Sequence, residues 1–264
     1  MRWWGLAAVG FACAACSSRA PEATVSPSTR DAGVDASTEP EGQRVIFPWG
    51  DLFVRSKLDA AGRVQEVAFV FPVRTGAPLP SDTRNNAPIR VFIDTPPAVA
   101  AQTIFSSIAF YYSPSGIGGA VYQGAMWDVH TSIRKEVDVQ AIDCSDKTTP
   151  PNRIMPANWI YIPPPDNCAP AMGIHALDTT APEFNKGRFT VSHMLTFYGG
   201  TYNGHVLLVA KQTMASAPTG TYQVPVVPIP ERPGVLTPTT LDVTSDVKRD
   251  TVTFTYKDFI PAPL

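Results

Sequence analysis

The chain carries only four histidines among its 264 residues, and two of them have the company needed for chemistry. Met126-Trp127-Asp128-Val129-His130 sets a carboxylate two residues from an imidazole. In an extended strand that spacing aims Asp128 and His130 at one face and Trp127 and Val129 at the other. Such a pair can orient a general base or join a metal-ligand set. The plainer alternative is a half-buried pair held by a hydrogen bond. Met172-Gly173-Ile174-His175 precedes Ala181-Pro182-Glu183, which offers a second imidazole and a second carboxylate around a turn. A divalent metal held by His130, His175, Asp128 and Glu183 is one expectation, and ordinary loop packing is the other. One ion at ~2.0–2.2 Å from both rings requires the imidazoles to lie close together. His193 and His205 have no acidic partner nearby in sequence and are read as structural.

No catalytic residue is assigned. Ser115-Gly116-Ile117-Gly118-Gly119 is glycine-rich, but it does not join a strand to a clear helix, so a phosphate loop is excluded by context. There is no Gly-x-Ser-x-Gly elbow and no His-Glu-x-x-His pattern.

The cysteines bear on compartment. Cys13 and Cys16 lie in the first stretch, and only Cys144 and Cys168 remain beyond it. The start, Met1-Arg2-Trp3-Trp4-Gly5-Leu6 through Ala14-Ala15-Cys16, is one positive charge, a short apolar run and small residues. That is the layout of a secretory signal over residues 1–15. The run is shorter than the roughly 20 residues a membrane-spanning helix needs. Cys16 after Ala14-Ala15 resembles a bacterial lipobox, with Cys13 where Leu usually stands. Lipidation of Cys16 is the expectation; cleavage after Ala14, Ala15 or Ala20 with simple secretion or periplasmic release is the alternative. Ser17 resembles the residue that follows the lipidated Cys in outer-membrane lipoproteins. An exported chain meets an oxidising space, so Cys144 and Cys168 are expected to form a disulfide.

The elements that must position these groups are mostly strands. Residues 17–43 are rich in Ser, Ala, Thr, Pro, Asp and Glu, and read as a disordered tether behind Cys16. Residues 44–264 suit a mainly β fold, one antiparallel β-rich domain, sandwich or barrel-like, with long Pro-rich loops. Strand patterns recur at Leu52–Val54, Val67–Val73, Ile89–Ile93, Ile104–Tyr112, Val137–Ile142 and His205–Ala210. Thr251–Tyr256 alternates strictly, with Val252, Phe254 and Tyr256 on one face. A short helix fits Pro97–Gln102. Residues 223–238 hold Pro225, Pro228, Pro230, Pro233 and Pro238 and read as an extended connection to the last strand. With 21 basic and 23 acidic residues and no basic patch, nucleic acid is not an expected partner. The membrane, through the lipid, is.

The fragments also come in an order. Tyr112 to Gly119, Tyr122, Met126–His130, Met172–His175, Pro182-Glu183, Tyr198 to Gly204 and a closing Val252–Phe259 succeed one another along the chain. That order resembles an exported bacterial family of unknown function whose founding member comes from a Thermus species. Its members carry Asn-Pro-x-Gly-His-x-Pro, a Tyr, His-Phe-Asp-x-His-Phe-Tyr, Met-Gly-x-His-Trp, then Pro-Glu and a Gly-x-Tyr-x-Gly turn. The resemblance implies a β scaffold with a histidine-rich metal site. Here Ile117 and Met126 stand at two of the histidine positions, and Ala176 follows His175 in place of Trp. Asp128, His130, His175 and Glu183 are what is left of the set, which implies weaker metal binding or none. The expected function is therefore a cell-envelope lipoprotein acting as a binding or structural module without enzymatic activity. The alternative is a metal-binding or metal-dependent hydrolytic protein using the degenerate site.

Overall fold

The computed structural model describes residues 41–47, 50–72, 89–113, 116–118, 122–162, 168–185, 189–210, 213, 216 and 219–264. The expected leader, Cys16 and residues 17–40 of the expected tether lie outside the described residues, as does Pro163-Pro164-Pro165, while residues 41–43, read as the end of that tether, begin a strand.

Sixteen strands are described. In chain order they are β1 (Glu41–Phe47), β2 (Gly50–Leu58), β3 (Val64–Pro72), β4 (Ile89–Asp94), β5 (Ser107–Ser113), β6 (Gly116–Gly118), β7 (Tyr122–Gln123) and β8 (Met126–Ser132). Then follow β9 (Trp159–Tyr161), β10 (Cys168–Ala169), β11 (Gly173–Asp178), β12 (Val191–Tyr198), β13 (Thr201–Ala210), β14 (Gly220–Gln223), β15 (Leu236–Asp246) and β16 (Thr251–Pro261). Two short helices interrupt them, α1 (Pro97–Gln102) and α2 (Glu136–Gln140).

Fourteen of the strands form two antiparallel sheets packed face to face, and β6 and β7 pair as a separate two-stranded ribbon. One sheet runs β1-β2-β3-β16-β15-β14 and the other β10-β11-β12-β13-β8-β5-β4, with β9 also on β11. Alternation explains the layering. Phe69 and Phe71 of β3 and Val252, Phe254 and Tyr256 of β16 point inward from the first sheet. Phe110, Trp127, Val129, Leu195, Phe197 and Leu207 point inward from the second. Phe71 meets Phe110 edge to face at 4.5 Å and Trp127 at 6.1 Å, joining the layers. Such aromatic pairs add ~0.5–1.5 kcal/mol beyond their area. The mainly β, antiparallel fold expected from sequence is thus observed, in its sandwich rather than its barrel-like form.

Two expectations need correction. Val137–Ile142 is not a strand; Glu136–Gln140 is a helix. Glu136 and Asp138 sit in its first turn, where acidic groups suit the helix dipole. The Asp94 carboxylate accepts the Glu136 N–H at 3.0 Å. Val139 is buried while Val137 is 71% exposed, so contact with the sheet overrides β-branched propensity. The end of the proline-rich connection is also more ordered than expected: Leu236–Asp246 is an eleven-residue strand that includes Pro238. Thr237, Thr240, Leu241 and Val243 bury their side chains, so threonine carries much of this strand.

Cys144 and Cys168 form a disulfide, with Cα atoms 5.9 Å apart. It closes a loop across 24 positions, worth about 3 kcal/mol by loss of unfolded-state entropy. The bond joins the segment after α2 to the edge strand β10.

Candidate functional site

The outer face of the larger sheet, away from the sandwich core, carries the candidate site. Met126, Asp128, His130 and Ser132 alternate outward along β8, while Trp127 and Val129 enter the core. The two-residue spacing therefore works as read from sequence. His175 reaches the same face from β11. It pairs with Thr196 on β12, which pairs with Gly204 on β13, which pairs with Ser132 on β8. Gly204 matters in that row. A Cβ there would lie 1.7 Å from the Thr131 carbonyl oxygen, so only glycine permits this approach of β13 to β8.

The imidazoles of His130 and His175 meet edge to face with centroids 5.7 Å apart. Tyr111, directly opposite Asp128 on β5, sets its ring edge-on to His130 at 5.0 Å. His130 Nε2 lies 2.9 Å from Asp128 Oδ1. The approach is at ion-pair distance but off the hydrogen-bond direction, so neither atom makes a hydrogen bond. Both side chains are deeply buried, with Asp128 4% and His130 6% exposed. Burial and the neighbouring His130 pull His175 down to about 4, against the Asp128 charge and the hydrogen bond to the Gly173 carbonyl. His175 is therefore neutral at pH 7, the form that ligates metals.

Glu183 is buried but goes elsewhere. The Tyr122 hydroxyl donates to its Oε1 at 3.2 Å and lies 3.3 Å from Ser192 Oγ. Leu208 pairs with both Asp128 and Ser192, so it stands between the two polar groups. The structure thus brings together Asp128, His130 and His175, and sets Glu183 in a separate cluster with Tyr122 and Ser192. Among the described residues no group of three or more His, Cys, Asp or Glu side chains is disposed to hold a metal ion. A zinc site ordinarily uses at least three protein ligands. Asp128, His130 and His175 are near one another but are not disposed to converge on one ion.

Beside His130 lies a cavity of about 10 Å³ lined by Ser107, Ser132, Thr196 and Asn203 and roofed by Val139 and Met172. That is about the room of one water. Its walls are tied together: Ser132 Oγ donates to Asn203 Oδ1 at 3.0 Å, and Asn203 Nδ2 donates to the Met172 carbonyl at 2.9 Å.

His193 and His205 belong to the inward face with Leu195 and Leu207. The His205 Nε2–H donates to the Pro225 carbonyl at 2.9 Å, while both His193 ring nitrogens are buried without a hydrogen bond. Burial pushes His193 down to about 4 and His205 down to about 3. Tyr111 and Ser192 were not legible from sequence as site neighbours, and Tyr122 entered only through the order of the motifs. Tyr111 lies 17 positions before Asp128, and only the β5–β8 register makes them opposite.

No protein-family model, no curated protein and no solved structure matches the chain.

Proposed function

We propose that this chain is an exported cell-envelope lipoprotein, anchored through Cys16, whose β sandwich serves as a binding or structural module. The observation that carries the reading is the Cys144–Cys168 disulfide. Disulfides persist in oxidising compartments and are rare in the cytosol. They fit a chain whose start has a secretory layout and whose only other cysteines fall in that start. Two or more acyl chains on Cys16 give stable anchoring, where one would not. Ser17 favours the outer membrane. The order of short motifs supports the same exported class.

Cell fractionation tests this directly. The wild-type chain is expected in the envelope fraction with labelled fatty acid, and Cys16→Ser in the soluble fraction. Intact Met1 on protein recovered from the cytosol overturns the proposal. Unlipidated wild-type protein in the periplasm supports export without an anchor.

A second reading rests on the 5.7 Å approach of His130 and His175 beside Asp128. It is a metal-binding, and by extension metal-dependent hydrolytic, protein. Elemental analysis of protein purified without chelators, with zinc titration of His130→Ala, decides it. Stoichiometric zinc lost in the variant supports it, and wild-type protein free of bound divalent metal overturns it.

A further inference from the structure

A second concavity lies away from the histidines. It forms where the β2–β3 turn, the carboxyl end of α1 and the segment entering β15 meet, and has a volume of about 460 Å³. Its apolar lining is Ala101, Val235 and Leu236, and its polar lining is Arg63, Gln102 and Arg232. Gln102 is spent. Its Nε2 donates to the Gly62 and Ala98 carbonyls, and its Oε1 accepts from the Val64 N–H. Arg63 is exposed and pairs with Asp59 at 2.8 Å.

Arg232 is different. It is half-buried, and its guanidinium donates to the Ala100 carbonyl at 3.0 Å and the Ile133 carbonyl at 3.4 Å. Those bonds fix the fork against the end of α1, a recognised capping role for arginine. They leave the positive charge without a carboxylate, because Arg232 enters no ion pair among the described residues. A guanidinium has five N–H donors and no acceptor, and these contacts use two. A partly desolvated cation without a counter-charge costs free energy that a bound anion would offset. The fork geometry matches a carboxylate bidentately.

The volume argues for more than a lone ion, since small-molecule sites run from ~300 to ~1,000 Å³. The apolar lining beside the arginines calls for an apolar group next to the anion. We propose that this groove binds a small amphipathic carboxylate, with its anion on Arg232, Arg63 as a second cation, and its apolar group on Val235 and Leu236. The proposal deepens the binding-module reading, but its assay does not depend on the lipid address.

N-acetyl-leucine is the probe, titrated against the purified full chain by calorimetry and by methyl NMR of Val235 and Leu236. Saturable binding is expected, with N-acetyl-leucinamide at least about tenfold weaker because the charge-assisted contact is gone. Arg232→Gln should shrink the difference between the two ligands to no more than the about threefold that Arg63 supplies. Arg63→Gln, which leaves the α1 cap intact, should weaken the acid about threefold, as for an exposed second charge. If Arg232→Gln lowers Tm while leaving binding unchanged, Arg232 is only a cap and the proposal fails. Inorganic phosphate binding as tightly as N-acetyl-leucine would show an unspecific anion patch and also overturn it. So would a peptide ending in free leucine that binds about 100-fold tighter, since the occupant would then be a chain terminus. No binding by the wild-type chain overturns the groove and leaves the address to fractionation.

Discussion

His130 and His175 touch edge to face at 5.7 Å although two strands, β12 and β13, lie between their own strands. The contact is possible because the row under His175 is Thr196, Gly204 and Ser132, all small. The consequence is electrostatic. His130 depresses the His175 pKa and Asp128 raises it. The two neighbours should therefore be separable by mutation. In metal-free protein, His130→Gln is expected to move the His175 titration upward from about 4, and Asp128→Asn to move it further down. NMR titration of the His175 ring protons checks both. Shifts in the same direction would show that the rings are not neighbours in solution.

The inward histidines make a prediction about acid. His193 and His205 have folded pKa values of about 4 and about 3, below the ordinary 6.5. Above pH 6.5 both are neutral folded or unfolded, and they contribute no pH dependence. As pH falls below 6.5 the unfolded chain takes up protons that the folded chain refuses, so stability declines until the folded values are reached. At 1.36 kcal/mol per unit, His193 alone accounts for about 3 kcal/mol between pH 6.5 and 4. Urea midpoints should drop steeply over that window. His193→Phe should flatten part of the slope, and an unchanged slope would show that His193 is hydrated in the folded state.

How much of this was legible in sequence depended on whether the deciding physics was local. Val252, Phe254 and Tyr256 announced β16 because strict alternation survives without knowing the partner strand. Asp128 and His130 announced a shared face for the same reason. The cysteine pair was readable by elimination. Val137–Ile142 failed because a carboxylate 42 positions earlier, Asp94, satisfies the Glu136 N–H at the start of α2. β15 went unread because its start, Leu236 to Pro238, looked like the end of the proline-rich connection, and only β14 and β16 on either side make the rest a strand. His175 lay on a strand rather than in a loop, and Glu183 faced Tyr122 rather than the histidines. Both depend on strand order, which a single sequence does not encode locally.

The disulfide should matter for stability more than for shape. Replacing Cys144 and Cys168 by Ala together is expected to cost about 3 kcal/mol, mostly by freeing the unfolded chain. Chemical denaturation under non-reducing conditions measures it. The double variant should keep a native-like near-ultraviolet dichroism spectrum, because Trp127, Phe71 and Phe110 lie in the sandwich core and not in the closed loop.

Sheet-on-sheet packing can be tested through Phe71 and Phe110. Phe71→Ala removes a ring that is 1% exposed and should cost about 3–5 kcal/mol. Because the rings touch at 4.5 Å across the two layers, the double variant Phe71→Ala/Phe110→Ala should cost less than the sum of the singles. A coupling of about 0.5–3 kcal/mol is expected for contacting residues. Strict additivity would place the two sheets out of contact.

Two glycines with positive φ separate conformational cost from steric cost. Gly62 has φ +76 in the β2–β3 turn, and a Cβ there meets nothing within 4 Å. Gly62→Ala should therefore cost only the left-handed penalty, about 1–2 kcal/mol. Gly173 has φ +95 at the start of β11, two residues before His175, and a Cβ there would lie 2.4 Å from the Phe197 carbonyl oxygen. Backbone cannot rotate aside as a side chain can, so Gly173→Ala has to push β11 away from β12. Its cost should exceed that of Gly62→Ala by about 1–3 kcal/mol, the range of added strain in a packed site. The same displacement should carry His175 away from His130 and hydrate its ring, and because burial is the largest cause of its depression the His175 pKa should rise, against the weakened pull of Asp128 and of the Gly173 carbonyl. Equal destabilisation by the two substitutions, with the His175 titration unmoved, would mean that β11 is not held against β12 where Gly173 meets Phe197.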